Sequence, residues 1–402
     1  MFVDSLGDTL SISSHTKREY ERIGCAHPGQ WLYLFGDEGV VYSEVGNRFA
    51  GLDAAGVSAY RAFGAGAEVK DLTLIGNGLC PAAFPCGDLE AIRALTQGIF
   101  PGDAPADQPQ EEWPDPDPPI FTPLETAGIE LHSIPISLAY PAGPWEELCR
   151  DCFRNCAPSN TPVRRRLYAQ ATESGWAIYI DDRKFFSLQH QKQLGLGLLH
   201  AARSLLYAEG RYDVAFHAAM VAVADCGVMI GAAREGGKST LAAYFVARGG
   251  DLLADEPALL QLDTGSVAPL RLPISLKEGS WGVLQRHWPE LAGSPVHVRS
   301  DGTKIRMAHP SEQRWSSRPR RLTHIVFPRY SRGFHSVEVE SLSPVHTLRL
   351  LNESGMLLAK CFARKDFEAL LQLVSRTPAY SLQYSSLEDA YRVLHEIGCV
   401  EK

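Results

Sequence analysis

No uninterrupted apolar run in the 402 residues approaches the roughly 20 that cross a bilayer. A membrane anchor is therefore not expected. The segment Met1 to Ser14 carries Asp4 and Asp8 and has no basic stretch ahead of an apolar one, so it does not read as a secretory signal. The expectation is a cytoplasmic chain. Basic excess is missing as well: 39 Lys and Arg against 47 Asp and Glu leave a net charge of −8. A broad polyanion-binding surface is thus not the default. The clusters Arg164-Arg-Arg166 and Arg318-Pro-Arg-Arg321 are not interleaved with aromatics in a nucleic-acid pattern, and solvated faces or ion pairs are expected there.

Cysteine is sparse. Nine in a chain of this length, an odd number, do not make a disulfide framework. Cys149, Cys152 and Cys156 have a spacing that could hold a metal, but the nearby chain offers no obvious fourth ligand. The same spacing puts all three on one face of a helix beginning near Pro144–Glu147, and reduced, half-buried thiols are the expectation. What is present is ordinary globular composition, with 45% hydrophobic residues. A wholly disordered, collagen-like or coiled-coil protein is excluded.

Lys and Arg are also absent from Leu95 to Leu148, and within that stretch Pro101 to Pro119 holds seven prolines and six acids. Such a segment reads as an extended, exposed linker. It predicts three parts: a small module over 1–100, an acidic Pro-rich linker over 101–125 and a larger module over 126–402. In the small module, Trp31 to Phe35 and Val40 to Tyr42 flank Gly36-Asp-Glu-Gly39, a hairpin signal, and Arg48 to Leu52 can add a third strand. Asp53 can cap a helix whose Val57, Tyr60 and Phe63 share a face, and a second helix is expected from Asp88 to Ile99. The prediction is a small α+β domain.

The larger module opens its informative part with adjacent strands, Phe216 to Val223 and Gly227 to Gly231, turning at Asp225. A helix from Lys238 to Arg248 closed by Gly249-Gly250 and a buried strand Asp251 to Asp255 come next. Strand, loop, helix, strand is the logic of a nucleotide-binding α/β sheet. Asp366 to Arg376 and Ser386 to Ile397 read as amphipathic helices, the second opened by Ser386 and Asp389 at capping-box spacing.

Between strand and helix lies Gly231-Ala-Ala-Arg-Glu-Gly-Gly-Lys-Ser-Thr240. The backbone N–H groups of such a loop and of the following helix end point at phosphates. Lys238 would reach the outer phosphates and the Ser239 hydroxyl would hold Mg²⁺. Gly231, Ala232, Arg234, Gly236, Gly237 and Thr240 are the remaining expected nucleotide contacts. The usual motif wants glycine where Ala232 stands, so the loop is either alanine-substituted or one residue longer. Asp255 and Glu256 follow Lys238 by about 17 residues, at the strand end where a metal-binding or catalytic acid would face the phosphates. A plain turn acid before Pro257 and a satisfied core histidine at His217 are the bland alternatives.

From Ala215 onward the pattern resembles the HPr kinase group. It does so through Phe216-His-Ala-Ala219, Val228 to Gly231, Gly237 to Ala242, Ala247 to Gly250 and Leu252 to Glu256. Later blocks are similar to HPr kinase-related kinases: Pro273 to Lys277, Gly302 to Lys304 with Met307 to Pro310, Ile325 to Tyr330, and Tyr380 to Tyr384 with Leu387 to Ala390. The resemblance implies an α/β phosphate-loop kinase domain using ATP and Mg²⁺ on a hydroxyl, typically serine. In it Lys238 binds phosphates and Ser239 the metal. His217 pairs with a carboxylate, Asp255 being the expected one, that accepts the hydroxyl proton, and Glu256 is a metal ligand or the alternative base. Lys277 and Lys304 are read as phosphate or peptide contacts, with surface lysine the alternative. An equivalent of the glutamate–arginine–glycine signature of true HPr kinase/phosphorylases is missing, so HPr itself and phosphorolysis are not expected.

The small module resembles PqqD-like winged-helix domains through Trp31 to Phe35, Gly39 to Tyr42, Asn47 to Asp53 and Asp88 to Ile99. Such domains hold the leader of a ribosomally made precursor peptide as an added strand. The combined expectation is a peptide kinase acting on a serine or threonine of a lasso-type or other modified peptide. Its leader would lie on residues 1–100, no nucleic acid or membrane would be involved, and a homo-oligomer is left open. A small-molecule hydroxyl kinase and a nucleotide-sensing binding protein are the alternatives.

Overall fold

The computed structural model describes residues 20–25, 27–65, 92–93, 97, 124–173, 175–223, 226–232, 236–334 and 336–399. The expected helix from Asp88 to Ile99, the linker up to 123 and the turn at Asp225 therefore lie outside the described residues, apart from Ile92, Arg93 and Gln97. The first unit is a four-stranded antiparallel meander, β1 (Glu21–Gly24), β2 (Gln30–Phe35), β3 (Glu38–Ser43) and β4 (Arg48–Leu52), followed by α1 (Ala54–Gly64). Asp53 caps α1 by accepting from the Gly56 N–H at 2.7 Å, and Val57, Tyr60 and Phe63 are buried along one helix face. The strand β1 carries no apolar alternation and escaped sequence reasoning.

This unit does not stand apart from the body. Tyr33 and Tyr42 share a core with Phe367, whose ring stacks on Tyr42 at 4.1 Å between centroids. Tyr33 Oη donates to Glu368 at 3.2 Å, and Asn47 Nδ2 donates to the Phe362 carbonyl at 2.8 Å. Deleting residues 1–119 would consequently expose Phe367 to water, so such a deletion tests stability along with any peptide-binding role.

The body has two large sheets and a small one where the sequence suggested one module. The first is six-stranded: β5 (Leu124–Leu131), β6 (Ile134–Pro141), β7 (Ala157–Pro158), β8 (Arg165–Thr172), β9 (Gly175–Ile180) and β10 (Arg183–Leu188), in the order β10-β9-β8-β6-β5-β7. Two helices accompany it, α2 (Glu146–Phe153) and α3 (Leu194–Glu209). The helix expected to present three cysteines ends at Phe153. Cys149 and Cys152 are buried on it, but Cys156 lies beyond, where the chain turns to pair Ala157–Pro158 with β5 and the thiol donates to the Arg271 carbonyl. All are free thiols, and no three His, Cys, Asp or Glu among the described residues are grouped to hold a metal. Arg165 is ion-paired with Asp181 at 2.7 Å and with Glu209, so the first arginine cluster is structural in this part.

The second sheet is built from β11 (Val214–Phe216), β12 (Ala218–Val223), β13 (Cys226–Gly231), β14 (Asp251–Asp255), β15 (Ala258–Gln261), β16 (Ser266–Val267), β20 (Arg320–Tyr330), β21 (Glu338–Ser341), β22 (Met356–Leu358) and β23 (Ala379–Tyr384). A small sheet, β17 (Ile274–Lys277), β18 (His297–Val298) and β19 (Lys304–Ala308), sits beside it. The single strand expected over Phe216 to Val223 is broken at His217: β11 pairs with β15 and β22, whereas β12 runs antiparallel between β13 and β14. The strands β13 and β14 are therefore parallel to each other, joined by α4 (Lys238–Ala247) across one intervening strand. Strands β20 and β23 continue the parallel set beyond β13. Helices α5 (Glu278–Leu284), α6 (Pro344–Gly355), α7 (Arg364–Arg376) and α8 (Leu387–Cys399) complete the mixed α/β architecture. The Asp389 N–H donates to Ser386 Oγ at 3.3 Å, as the capping-box spacing requires.

A buried polar cluster ties the six-stranded body to the small sheet. Asp151 on α2 is fully buried and accepts from His297 Nε2 and His309 Nε2, each at 2.9 Å. Burial raises the Asp151 carboxyl, but the two histidine hydrogen bonds outweigh it and hold the group down at about 2, against the ordinary 3.8. With a folded-state value below the unfolded one, its contribution is complete above pH 3.8 and is lost as pH falls through about 2. Asp151→Ala takes the shared partner from the buried His297 ring, from His309 and from Arg154, and is expected to cost about 3–5 kcal/mol in urea unfolding at neutral pH. A cost under about 1 kcal/mol would show that the cluster does not hold the small sheet to the six-stranded body.

Candidate phosphate-binding site

The strand β13 is buried between β12 and β20 and delivers the chain to Gly231 and the buried Ala232. Arg234, with Ala233 and Glu235, lies outside the described residues. The loop rejoins at Gly236, and Gly237 sits at φ 89° as the residue before α4. A Cβ there would meet Tyr384 Oη at 2.8 Å, so both backbone conformation and space require glycine. The helix α4 then starts with Lys238, Ser239 and Thr240, its free N–H groups and positive dipole end turned to the loop. The helix closes at Gly249, φ 106°, as the glycine pair predicted.

Five side chains, those of His217, Lys238, Ser239, Asp255 and Glu256, converge where β13 and β14 end. Lys238 is buried; its Nζ donates to the His217 carbonyl at 3.3 Å and lies 3.9 Å from Glu256 Oε2. Burial pulls the ammonium down from its ordinary value, against Asp255 and Glu256, which support the charge. Ser239 Oγ donates to Asp255 Oδ1 at 3.0 Å. The other oxygen of Asp255 accepts from the Ser275 N–H at 3.1 Å, and burial raises this carboxyl despite Lys238 nearby.

The expected pairing of His217 with Asp255 is not formed. His217 Nδ1 is 3.0 Å from Glu256 Oε1 instead. The reason is the end of the strand. Asp255, the last residue of β14, faces α4 and β17, and is 1% exposed. Glu256 leaves the strand at φ 61°, which turns its carboxylate to the opposite side, toward the break between β11 and β12 where His217 stands. Burial would raise the Glu256 carboxyl, but Arg203, the His217 hydrogen bond and Lys238 together hold it well below the usual carboxylate range. Glu256 is thus an ionised carboxylate with its side chain 28% exposed, whereas Asp255 is sealed in.

The remaining candidates divide. Thr240 Oγ1 lies 2.6 Å from Ser280 Oγ and fastens α4 to α5. Lys277 ends β17, exposed, two residues past Ser275. Lys304 opens β19, also exposed, with its ammonium 3.3 Å from Glu278 Oε1 rather than on the five-residue cluster. Sequence reasoning missed Arg203. It sits on α3, in the six-stranded body, with Nη1 3.8 Å from Glu256 Oε1 and Nη2 donating to the Asp255 carbonyl at 3.5 Å. Its signal was present: one arginine among Ala201, Ala202, Leu205 and Leu206, all buried.

The arrangement offers a helix end and ammonium for phosphate oxygens, a hydroxyl beside a sealed carboxylate, and an accessible carboxylate oriented by an imidazole. No protein-family model matches the chain and no curated protein matches it. Among solved structures it is similar to the Hpr(Ser) kinase/phosphatase from Coxiella burnetii, with 9% identity over 46% of this chain and 96% of that one, at a TM-score of 0.24. A likeness at that level assigns neither fold nor activity.

Proposed function

We propose that the chain is an ATP-dependent kinase that transfers the terminal phosphoryl group to a hydroxyl. The observation that carries this reading is the Glu256–His217 pair, 3.0 Å apart and 3.9 Å from Lys238 at the start of the phosphate-loop helix. Phosphate binding alone does not require an accessible, imidazole-oriented carboxylate at that place, and this favours an enzyme over a nucleotide sensor. Glu256 takes the proton of the acceptor hydroxyl, and His217 orients it. The acceptor oxygen bonds to the terminal phosphorus as the bridge to ADP breaks, its electron pair leaving with ADP. Lys238 and the N–H groups of α4 hold the phosphate oxygens.

Of the two parts the sequence suggested for Asp255, base and metal ligand, we assign it the second. Its carboxylate beside the Ser239 hydroxyl is a set of hard oxygen donors that fits Mg²⁺. When bound there, the cation supplies neutralisation of the phosphate charge. Asp255 and Ser239 would hold it, leaving Glu256 to the acceptor.

The acceptor class we assign is a serine or threonine of a ribosomally made precursor peptide with its leader on the N-terminal sheet. The support is the strand pattern of that unit and the outer edge of β1, which pairs with no other strand among the described residues. Capture there would raise the acceptor's local concentration to about millimolar for a short connection. The test is to incubate the full-length chain with ATP, Mg²⁺ and short peptides encoded by neighbouring genes, reading phosphoryl gain by mass. Gain on a full precursor, lost on the leaderless peptide, is expected. Equal gain without the leader contradicts leader capture, and ATP bound with no gain on any peptide contradicts the peptide acceptor.

A further inference from the structure

We propose that Arg203 is a substrate-contacting residue of this site, a cation supplied by the six-stranded body to the terminal phosphoryl group of the bound nucleotide. The proposal rests on the reading of the site as a phosphoryl-transfer centre and adds to it a group from outside the phosphate-loop unit.

Helix α3 is fixed to both bodies: Ala201, Ala202, Leu205 and Leu206 share one core with Ala254 of β14 and Leu259 of β15. Arg203 projects from this anchored helix with its side chain 15% exposed. A guanidinium removed from water to that extent needs good partners. The ones it has are poor. The Glu256 contact is 3.8 Å, the carbonyl contact is 3.5 Å, and Nε is buried without a hydrogen bond. Loose contact alone does not set it apart, since Arg320, 18% exposed, is 3.9 Å from Asp251 with its own Nε unbonded, whereas Arg165 is 2.7 Å from Asp181. What distinguishes Arg203 is where its loose contacts fall, on Glu256 and on the Asp255 carbonyl.

Position supplies the second argument. Lys238 Nζ stands 3.9 Å from one oxygen of Glu256, and Arg203 Nη1 stands 3.8 Å from the other. The two cations meet different oxygens of one carboxylate, which places the α3 guanidinium and the ammonium of the loop helix on the same small cluster. A phosphoryl group bound at the Lys238 ammonium, beside Glu256, would come within reach of the Arg203 donors. A planar guanidinium is suited to it, since its fork matches phosphate oxygens and it is weakly hydrated. Charge there grows on the oxygens as the bond to ADP breaks, and an arginine in such a place accelerates transfer by about 10³–10⁵. Arg203 itself forms and breaks no covalent bond.

The test compares two probes on the full-length chain with Mg²⁺ by calorimetry: ADP and a non-hydrolysable ATP analogue with an imido bridge. Arg203→Met is expected to weaken the analogue by about 10–100-fold, the range of charged hydrogen bonds lost, and to leave ADP within about twofold. Arg203→Lys, which keeps charge without the fork, should fall between. If Arg203→Met does not fold, Arg203→Lys has to show the same selective loss. Unchanged binding of both probes, or equal weakening of both, overturns the role of Arg203 while nucleotide binding by the unsubstituted chain keeps the site. Failure of the unsubstituted chain to bind either probe overturns the site reading, and this proposal with it.

Discussion

Glu256→Gln is expected to lower phosphoryl transfer by about 10²–10⁴-fold while ATP affinity stays within a few fold or tightens. The amide keeps the shape of the carboxylate and can still accept from His217 Nδ1, so the site should keep its geometry. What it loses is the ability to take a proton. It also removes a negative charge 3.9 Å from Lys238, which relieves repulsion toward phosphate. Asp255→Asn should behave differently, raising the Mg²⁺ concentration needed for half-maximal turnover, because Asp255 is bonded to Ser239 and sealed from an acceptor. Rate and affinity measured side by side separate the two residues. Parallel loss of both quantities in Glu256→Gln would make Glu256 a binding residue.

Lys238→Ala is the second large effect. Turnover should fall by about 10²–10³-fold or more, the scale of removing one donor from the developing charge. Truncation also removes a buried alkyl chain and leaves Glu256 with one cation fewer, so the melting temperature is read beside the rate to separate lost turnover from lost fold. A folded variant that turns over at an unchanged rate contradicts the role given to Lys238.

Local signals carried much of this into view. The glycine–lysine–serine–threonine string, the Asp53 cap and the terminal helices are encoded by residues near one another in sequence, and they appear where the spacing put them. The distinction between Asp255 and Glu256 was not legible. It depends on φ 61° at Glu256 and on which neighbour each carboxylate meets, Ser275 in one case and His217 in the other. Those partners come from segments distant in the chain, one on β17 and one at the break between β11 and β12. The break at His217 was hidden for the same reason: Phe216 to Val223 is evenly apolar apart from the histidine, but its two parts join different partners. Arg203 is more distant still, since a helix of another body brings it in. The division of the body into separate sheets followed from pairings between segments too far apart for periodicity to register.

The site account reduces to one claim, that the end of α4 with Lys238 binds the phosphates of ATP. Calorimetric titration of the full-length chain with Mg²⁺ and ATP tests it most directly. The account predicts one site per chain with a dissociation constant between about 1 µM and 1 mM, and at least about tenfold weaker binding in Lys238→Ala. No binding by the unsubstituted chain, or equal affinity in the variant, would contradict it.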